Sequence, residues 1–162
     1  MSATPSPPVE SPSSPPPFAR ITDAPLDGEA LLARIAHPSH GAQLLFLGVV
    51  RDMNEGKEVE GIRYEAFREM AEPVLLSLLR SAQDQWPGVR AGAEHRFGHL
   101  HVGEASVMVA VSSPHRAEAY EASRWIMDEL KQSLPVWKEE LYRDGESQWL
   151  KGNSPVSNRG EE

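Results

Sequence analysis

Two lysines lie seven positions apart in the segment DELKQSLPVWKEELYRDG, which spans 128–145. Lys131 falls in the last turn of a predicted helix, where a cation complements the helix dipole and needs no function. Lys138 follows a short apolar stretch, so its stem should run along Trp137 or the core while its amine reaches a cleft. Such an amine can hold an anion, act as a base or attack a carbonyl or thioester carbon. Taken alone, the segment favours a hairpin lysine paired with one of the two glutamates that follow it.

His115 and Arg116 form a second candidate site in the segment VSSPHRAEAY, which spans 111–120. Ser113 is predicted to cap a helix with Pro114 at its first position, which places both side chains in the opening turn. Backbone N–H groups are unpaired there and the helix dipole favours an anion, so a phosphate or carboxylate would bind well. A surface arginine beside a cap-region histidine explains the same residues equally well.

Arg51 ends a predicted strand and leads into the polar turn of GVVRDMNEGKEVEG, which spans 48–61. Arginine is a natural bidentate partner for phosphate, and a loop at a strand end is a common place to display it. On spacing alone, however, a solvated hairpin loop is the favoured interpretation.

The distance between two of these cations limits how they can cooperate. Arg116 and Lys131 are fifteen residues apart on the predicted helix, which places them roughly 22 Å apart. One small ligand cannot touch both within a single chain. We therefore expect either separate sites or, as the preferred hypothesis, a symmetric dimer that brings the helix start of one protomer to the lysine pair of the other.

The composition excludes several kinds of chemistry. The chain has 162 residues, a formal net charge of −8 and no cysteine, which predicts one domain without disulfides, thiolate nucleophiles or cysteine-ligated metals. An acidic chain without a long apolar run or a targeting segment is expected to be cytoplasmic and to bind neither nucleic acid nor membrane. His95, His99 and His101 have no further ligand in register, so they are interpreted as surface or core-edge residues, and neither a metal nor a cofactor is predicted.

Hydrophobic periodicity predicts alternating helices and strands between two tails. The chain divides into a disordered Pro/Ser-rich tail over 1–17, a folded domain over 18–152 and a flexible tail over 153–162. Within the domain we expect helices over 26–37, over 70–86 with Pro73 in its first turn, and from Ser113 to before Pro135, together with strands over 42–50, 59–67, 93–103 and 105–113 and a closing hairpin through Asp144-Gly145. This order favours an α+β domain with mainly antiparallel pairing.

Five motifs occur in a familiar order, namely GVVRDMNEG, YEAFREMAE, HRFGHLHVGEASVMVAVSSPHRAEAYEA, IMDELKQSLPVWKEE and DGESQWLKGN. Over about 42–153 the chain resembles the large, catalytic subunit of molybdopterin synthase. The resemblance implies an α/β hammerhead-like α+β domain with an additional antiparallel β subdomain. It also implies a sulfurtransferase of molybdenum cofactor biosynthesis, assembled as a heterotetramer around a homodimer of large subunits. In that family a small ubiquitin-like subunit threads its Gly-Gly thiocarboxylate into a pocket, and two such sulfurs convert cyclic pyranopterin monophosphate into the molybdopterin dithiolene.

The resemblance implies roles for individual residues, carried over where the motifs match. Lys138 would be the catalytic group nearest the thiocarboxylate, and Lys131 would support substrate orientation and proton transfer. Pro135 would turn the chain so that both amines converge on one pocket. The remaining matched positions are a pocket-lining aromatic, Phe46, and the substrate-binding residues Val49 and Val50 (through their backbone), Arg51, His115, Arg116, Glu139 and Glu140.

Two other functions remain alternatives. A non-catalytic adaptor for a ubiquitin-like tail would need an apolar groove and one cation, but not the second anion site that Arg51, His115 and Arg116 imply. A phosphate-binding or hydrolytic domain that works without a partner would need a nucleophile or a metal set, and the sequence offers neither. Some family members carry a basic residue near the position of Lys151, and whether this lysine substitutes for that group stays open.

Overall fold

The computed structural model describes residues 15–150, which form three helices and nine strands arranged in two sheets. In chain order the elements are β1 (Phe18–Thr22), α1 (Gly28–Ile35), β2 (Ala42–Val49), β3 (Met53–Asn54), β4 (Lys57–Ala66), α2 (Arg68–Gln85), β5 (Arg90–Arg96), β6 (Gly98–His101), β7 (Ala105–Ser113), α3 (Arg116–Ser133), β8 (Val136–Tyr142) and β9 (Ser147–Leu150). Every strand pair except β1 with β5 is antiparallel. The predicted α+β class with an additional antiparallel subdomain is thereby confirmed.

The first sheet has the strand order β1-β5-β7-β2 and carries helices on both faces. β7 lies in the middle, and eight of its nine residues are buried. Met108 and Ala110 pack against α1 on one face, whereas Val109 and Val111 join the larger core under α2 and α3 on the other. A strand covered on both faces must be apolar throughout, which explains the continuous apolar run in its sequence.

The second sheet has the order β3-β4-β8-β9, with β6 also paired to β4. In the β4–β8 ladder Tyr64 lies opposite Lys138 and Ile62 lies opposite Glu140. The turn between β8 and β9 places Gly145 at a φ of +86°, and Asp144 Oδ1 accepts a hydrogen bond of 2.9 Å from the backbone N–H of Glu146. Because glycine adopts a positive φ without a steric penalty, Asp-Gly closes the hairpin as predicted.

The single strand predicted over 93–103 is wrong, because this segment forms two strands in different sheets. β5 ends at Arg96 in the first sheet, and β6 begins at Gly98 in the second. Gly98 has a φ of +96°, which is incompatible with a continuous extended backbone and lets the chain change direction. The backbone therefore passes directly from the first sheet to the second between β5 and β6.

The start of α3 also differs from the prediction. Ser113 stays in β7, paired with Ala42, so that His115 becomes the N-cap and Arg116, rather than Pro114, is the first helical residue. Strand pairing extends further than the local Ser-Pro signal suggested, because it satisfies the backbone groups of Ser113 in the sheet. The core-facing positions of the helix are as predicted and are fully buried, namely Ala119, Ala122, Ile126 and Leu130.

Two further boundaries were not predicted. β1 was not assigned to a strand, although its five residues pair in parallel with β5. α2 begins at Arg68, which places Pro73 in the second turn of the helix and not in the first.

The predicted tails fall mostly on residues 1–14 and 151–162, outside the described part of the chain, and Lys151 lies there as well. The last residues that we assigned to the N-terminal tail do make contacts with the domain. Pro17 is buried, and the carbonyl of Pro15 accepts a hydrogen bond of 3.0 Å from Gln83 Nε2 on α2. The folded region therefore includes contacts upstream of Phe18.

Candidate functional site

A small cavity of about 80 Å³ lies where the end of β2 meets β4 and β8. Its polar lining comes from Arg51, Asn54, Tyr64, Lys138 and Glu140. The structure thus brings together Arg51 and Lys138, two cations that the sequence placed in separate motifs. The cavity is large enough for a small polar group and too small for a fused ring system.

Lys138 reaches this cavity because of its position in β8. Side chains alternate along a strand, and Val136, Glu140 and Tyr142 on the same face are all buried. The side chain of Lys138 is 20% exposed, and its Nζ lies 3.5 Å from Glu140 Oε1. Trp137 points to the opposite face of β8. Of the two predicted surfaces for the stem of Lys138, Trp137 and the core, the structure therefore shows the core.

Glu140 is buried, and its carboxylate is fully engaged within the chain. Oε2 accepts hydrogen bonds from Asn54 Nδ2 at 2.6 Å and from the Tyr142 hydroxyl at 2.5 Å. Burial raises the pKa of Tyr142, and its hydrogen bond to Glu140 raises it further. Burial also raises the pKa of Tyr64, with the charge of Glu140 adding to the effect. Both phenols are therefore protonated at neutral pH, and Tyr142 acts as a donor.

The other glutamate of the motif lies elsewhere. Glu139 is on the outer face of β8, where its Oε1 is 3.8 Å from Arg63 Nη1 on the neighbouring strand. It does not line the cavity of Lys138. A substrate contact by Glu139 in this chain would have to occur on that outer face.

Arg51 and the two valines before it have different surroundings. Arg51 is exposed, and its guanidinium has no ion pair among residues 15–150, so it is available to an anion. Val50 is buried, its N–H donates to Glu104 O at 3.0 Å, and its carbonyl accepts from Gly103 N at 2.9 Å. The backbone N–H and carbonyl of Val50, which were predicted to contribute to substrate binding, are therefore already hydrogen-bonded within the fold. Val49, in contrast, is 47% exposed at the rim of the cavity.

Lys131 lines a different and larger cavity, of about 430 Å³, between β2 and α3. Phe46 also lines this cavity, and Tyr120 and Arg124 contribute further side chains. The sequence analysis missed Tyr120 and Arg124, although their spacing from Lys131 on a helix places all three near one face. The predicted convergence of both lysine amines on one pocket does not occur within a single chain.

His115 and Arg116 lie at the exposed start of α3, and His115 makes no capping hydrogen bond with its side chain. α3 continues without a break from Arg116 to Ser133, so the separation of roughly 22 Å between Arg116 and Lys131 stands. Arg116 does not line either of the cavities that hold the lysines. Within one chain, this anion-binding pair is distant from Lys131.

The three histidines dismissed as metal ligands occupy two environments. His95 is fully buried, whereas His99 and His101 are exposed, with ring centroids 4.7 Å apart. Over residues 15–150, no group of three or more His, Asp or Glu side chains is arranged to hold a metal ion. No helix in the same range is both long and apolar enough to cross a membrane.

Comparison with known proteins identifies the family. The family model described as MoaE protein matches residues 21–133. The chain belongs to the MoaE family. It is 40% identical over 139 residues to molybdopterin synthase catalytic subunit 1 of Mycobacterium tuberculosis, covering 86% of this chain and 93% of that protein. It is 39% identical over 130 residues to the molybdopterin synthase catalytic subunit of Bacillus subtilis, covering 80% and 82% of the two chains.

A solved structure agrees with these relatives. The crystal structure of molybdopterin synthase from Staphylococcus aureus superposes on this MoaE family member with a TM-score of 0.78 and 34% sequence identity, covering 82% of this chain and 96% of that one. The predicted family and its enzyme class, a sulfurtransferase of molybdenum cofactor biosynthesis, are confirmed.

Proposed function

We propose that this chain is the catalytic subunit of a molybdopterin synthase, in which a small ubiquitin-like subunit inserts its C-terminal thiocarboxylate into the cavity of Lys138. Two such sulfurs are transferred to cyclic pyranopterin monophosphate to form the dithiolene of molybdopterin. The observation that carries the proposal is that Lys138, which is largely buried, and Arg51, which has no ion pair among residues 15–150, share one narrow cavity. Membership of the MoaE family supports the same chemistry.

The size and charge of the cavity fit the end of a peptide tail. A volume of about 80 Å³ holds a few groups of the size of a water molecule, each occupying ~30 Å³. A Gly-Gly terminus has no side chain and is slender enough to enter. Because the chain as a whole carries a formal charge of −8, an anionic tail needs the local cations Lys138 and Arg51 to be held there.

The chemistry requires positioning and charge rather than a nucleophile of the protein's own. The sulfur comes from the partner, which agrees with a chain that has no cysteine. In each transfer the thiocarboxylate sulfur forms a bond to a pterin side-chain carbon as a carbon–oxygen bond of that carbon breaks, and the displaced oxygen leaves as water or remains on the phosphate. Water then hydrolyses the bond between the sulfur and the carbonyl carbon of the small subunit, which leaves as a carboxylate while the sulfur stays on the pterin as a thiolate. Lys138 holds the thiocarboxylate in a site of low dielectric, and Lys131 supports substrate orientation and proton transfer.

The proposed active unit is a homodimer within a heterotetramer, because the two lysines line separate cavities in one chain and Arg116 lies far from Lys131. In a dimer, the anion-binding start of α3 from one protomer completes the lysine site of the other. The test mixes Arg116→Ala and Lys138→Ala protomers after dissociation and reassociation. Random reassociation makes half of the dimers hybrids that contain one protomer of each variant. If sites are shared, each hybrid has one site with both residues and one site with neither, so about a quarter of wild-type activity returns. If each chain carries a complete site, the mixture stays inactive.

The alternative is an adaptor that binds the tail of a ubiquitin-like protein without catalysis. Purified chain, thiocarboxylated small subunit and cyclic pyranopterin monophosphate are mixed, and the dithiolene product is measured by mass spectrometry. Product formation supports the synthase, and tail binding without product supports the adaptor. The proposed location for this reaction is the cytoplasm.

A further inference from the structure

The environment of Glu140 does not fit a residue that contacts substrate. Its side chain is 5% exposed, and both carboxylate oxygens already have partners within the chain. Oε2 accepts two hydrogen bonds, from Asn54 on β3 and from Tyr142 on β8, and Oε1 faces the Nζ of Lys138. A buried carboxylate without such partners would be strongly destabilising, so this arrangement is a built one.

The two donors fix the orientation of the carboxylate. With Asn54 and Tyr142 bound to one oxygen, the carboxylate cannot rotate without breaking a hydrogen bond, and the other oxygen is held toward Lys138. Burial and the bond to Glu140 raise the pKa of Tyr142, so its hydroxyl keeps its proton and continues to donate. The three residues come from two strands that β4 holds on either side of it. The geometry of the group is thus set by the second sheet as a whole.

We propose that Asn54, Glu140 and Tyr142 form a clamp that aims the ammonium of Lys138 into the cavity, which makes Glu140 a positioning residue and not a substrate ligand. The inference rests on the proposed function for its catalytic meaning. It assigns roles to Asn54 and Tyr142, and it replaces the substrate-binding role that the sequence suggested for Glu140. We call these three residues the Glu140 clamp.

Two substitutions separate positioning from substrate binding. Glu140→Gln keeps the size of the side chain and an oxygen for Asn54 and Tyr142, but it turns an amide N–H toward Lys138. Tyr142→Phe removes one donor while it keeps the ring that lies 5.0 Å from Lys57 Nζ. We expect kcat to fall about tenfold or more for Glu140→Gln and about threefold to tenfold for Tyr142→Phe, with KM for the small subunit changed less than about twofold.

A matched control excludes a general effect of losing a buried carboxylate. Glu94 on β5 is equally buried and pairs with Arg20 at 2.5 Å, away from the cavity of Lys138. Glu94→Gln therefore removes the same kind of interaction without touching the Glu140 clamp, and we expect kcat to stay within about twofold of wild type. A KM that rises while kcat is unchanged in Glu140→Gln would overturn the proposal in favour of a substrate contact.

A second readout does not depend on the proposed function. The folded chain is treated with N-acetoxysuccinimide, and the acetylation rates of Lys138 and Lys131 are measured by peptide mass spectrometry, with circular dichroism as the folding control. In wild type the Nζ of Lys138 is held 3.5 Å from Glu140 Oε1, and loss of this charged partner frees the amine to reach the reagent. We expect Glu140→Gln to accelerate acetylation of Lys138 about fivefold or more relative to Lys131, and an unchanged ratio would overturn the clamp. If wild type makes no product but the ratio still shifts, the proposed function fails and the clamp stands.

Discussion

The burial of His95 leads to a quantitative prediction about stability in mild acid. The residue is fully buried on β5, its Nδ1–H donates to the carbonyl of Arg96 at 2.9 Å, and its ring packs edge to face on Tyr64 at 5.1 Å. Burial lowers the pKa of His95 from 6.5 to about 4, and the hydrogen bond to Arg96 opposes this only in part. The neutral imidazole is therefore part of the folded core next to the cavity of Lys138.

The sign and size of the effect follow from this pKa. Because the pKa of His95 is lower in the folded state, the unfolded chain takes up the proton first as the pH falls. The stabilisation of the folded state is therefore fully present above pH 6.5 and is lost as the pH falls toward 4. A shift of about 2.5 units corresponds to about 3 kcal/mol in total, of which about 2 kcal/mol is lost between pH 7 and pH 5.

Urea unfolding at pH 7 and pH 5 measures this loss directly. Between pH 7 and pH 5, we expect the free energy of unfolding of His95→Gln to fall by about 2 kcal/mol less than that of wild type. His99→Gln is the control, because His99 is exposed on β6 and its variant should follow wild type. If His95→Gln and wild type lose the same stability between the two pH values, the reasoning about His95 is refuted.

Three shorter predictions concern other parts of the chain. Ile126→Ala should lower the free energy of unfolding by about 3 kcal/mol in urea, because Ile126 is fully buried on α3, and a loss below about 1 kcal/mol would argue against this packing. Arg51→Ala should raise KM for cyclic pyranopterin monophosphate about tenfold in steady-state assays, and an unchanged KM would contradict a phosphate contact. Lys131→Ala should lower kcat about tenfold to a hundredfold while the melting temperature stays constant, since Lys131 is exposed; wild-type turnover would exclude its supporting role.

Local patterns predicted those parts of the fold in which one face of an element contacts the core. The spacing of Ala119, Ala122, Ile126 and Leu130 identified the buried face of α3, and Asp144-Gly145 identified the last hairpin. The break between β5 and β6 could not be read in this way, because the apolar pattern of the segment gives no sign that the chain changes sheets. A glycine inside a strand pattern, here Gly98, was the available signal.

The candidate site was predictable in its charges and not in its geometry. Taken alone, the segments of Lys138 and Arg51 favoured a hairpin lysine and a solvated loop. The family resemblance implied that both residues bind anions, and the fold places both in one cavity. The partnership of Asn54 with Glu140 spans 86 positions in sequence, so it depends on how the second sheet is assembled. Tyr142 could have been found from strand alternation, which puts every second residue after Lys138 on its face.

The two lysines were assigned to one pocket because the family resemblance matches both to functional lysines and because Pro135 was expected to turn the chain between them. Lys131 ends a helix that packs on the first sheet, whereas Lys138 belongs to the second sheet. They therefore line separate cavities in one chain. The separation of the two cavities is visible only in the assembled sheets, because no local sequence pattern indicates which cavity a helix end faces.

The most direct test of the central claim is a single-turnover measurement with wild type and Lys138→Ala. Each is mixed with thiocarboxylated small subunit and cyclic pyranopterin monophosphate, and the transfer of sulfur to the pterin is followed by mass spectrometry. We expect wild type to produce the dithiolene and Lys138→Ala to be slower by about a hundredfold or more, since one preorganised charge at the reacting group is lost. Equal rates in the two proteins, or no dithiolene from wild type, would contradict the account.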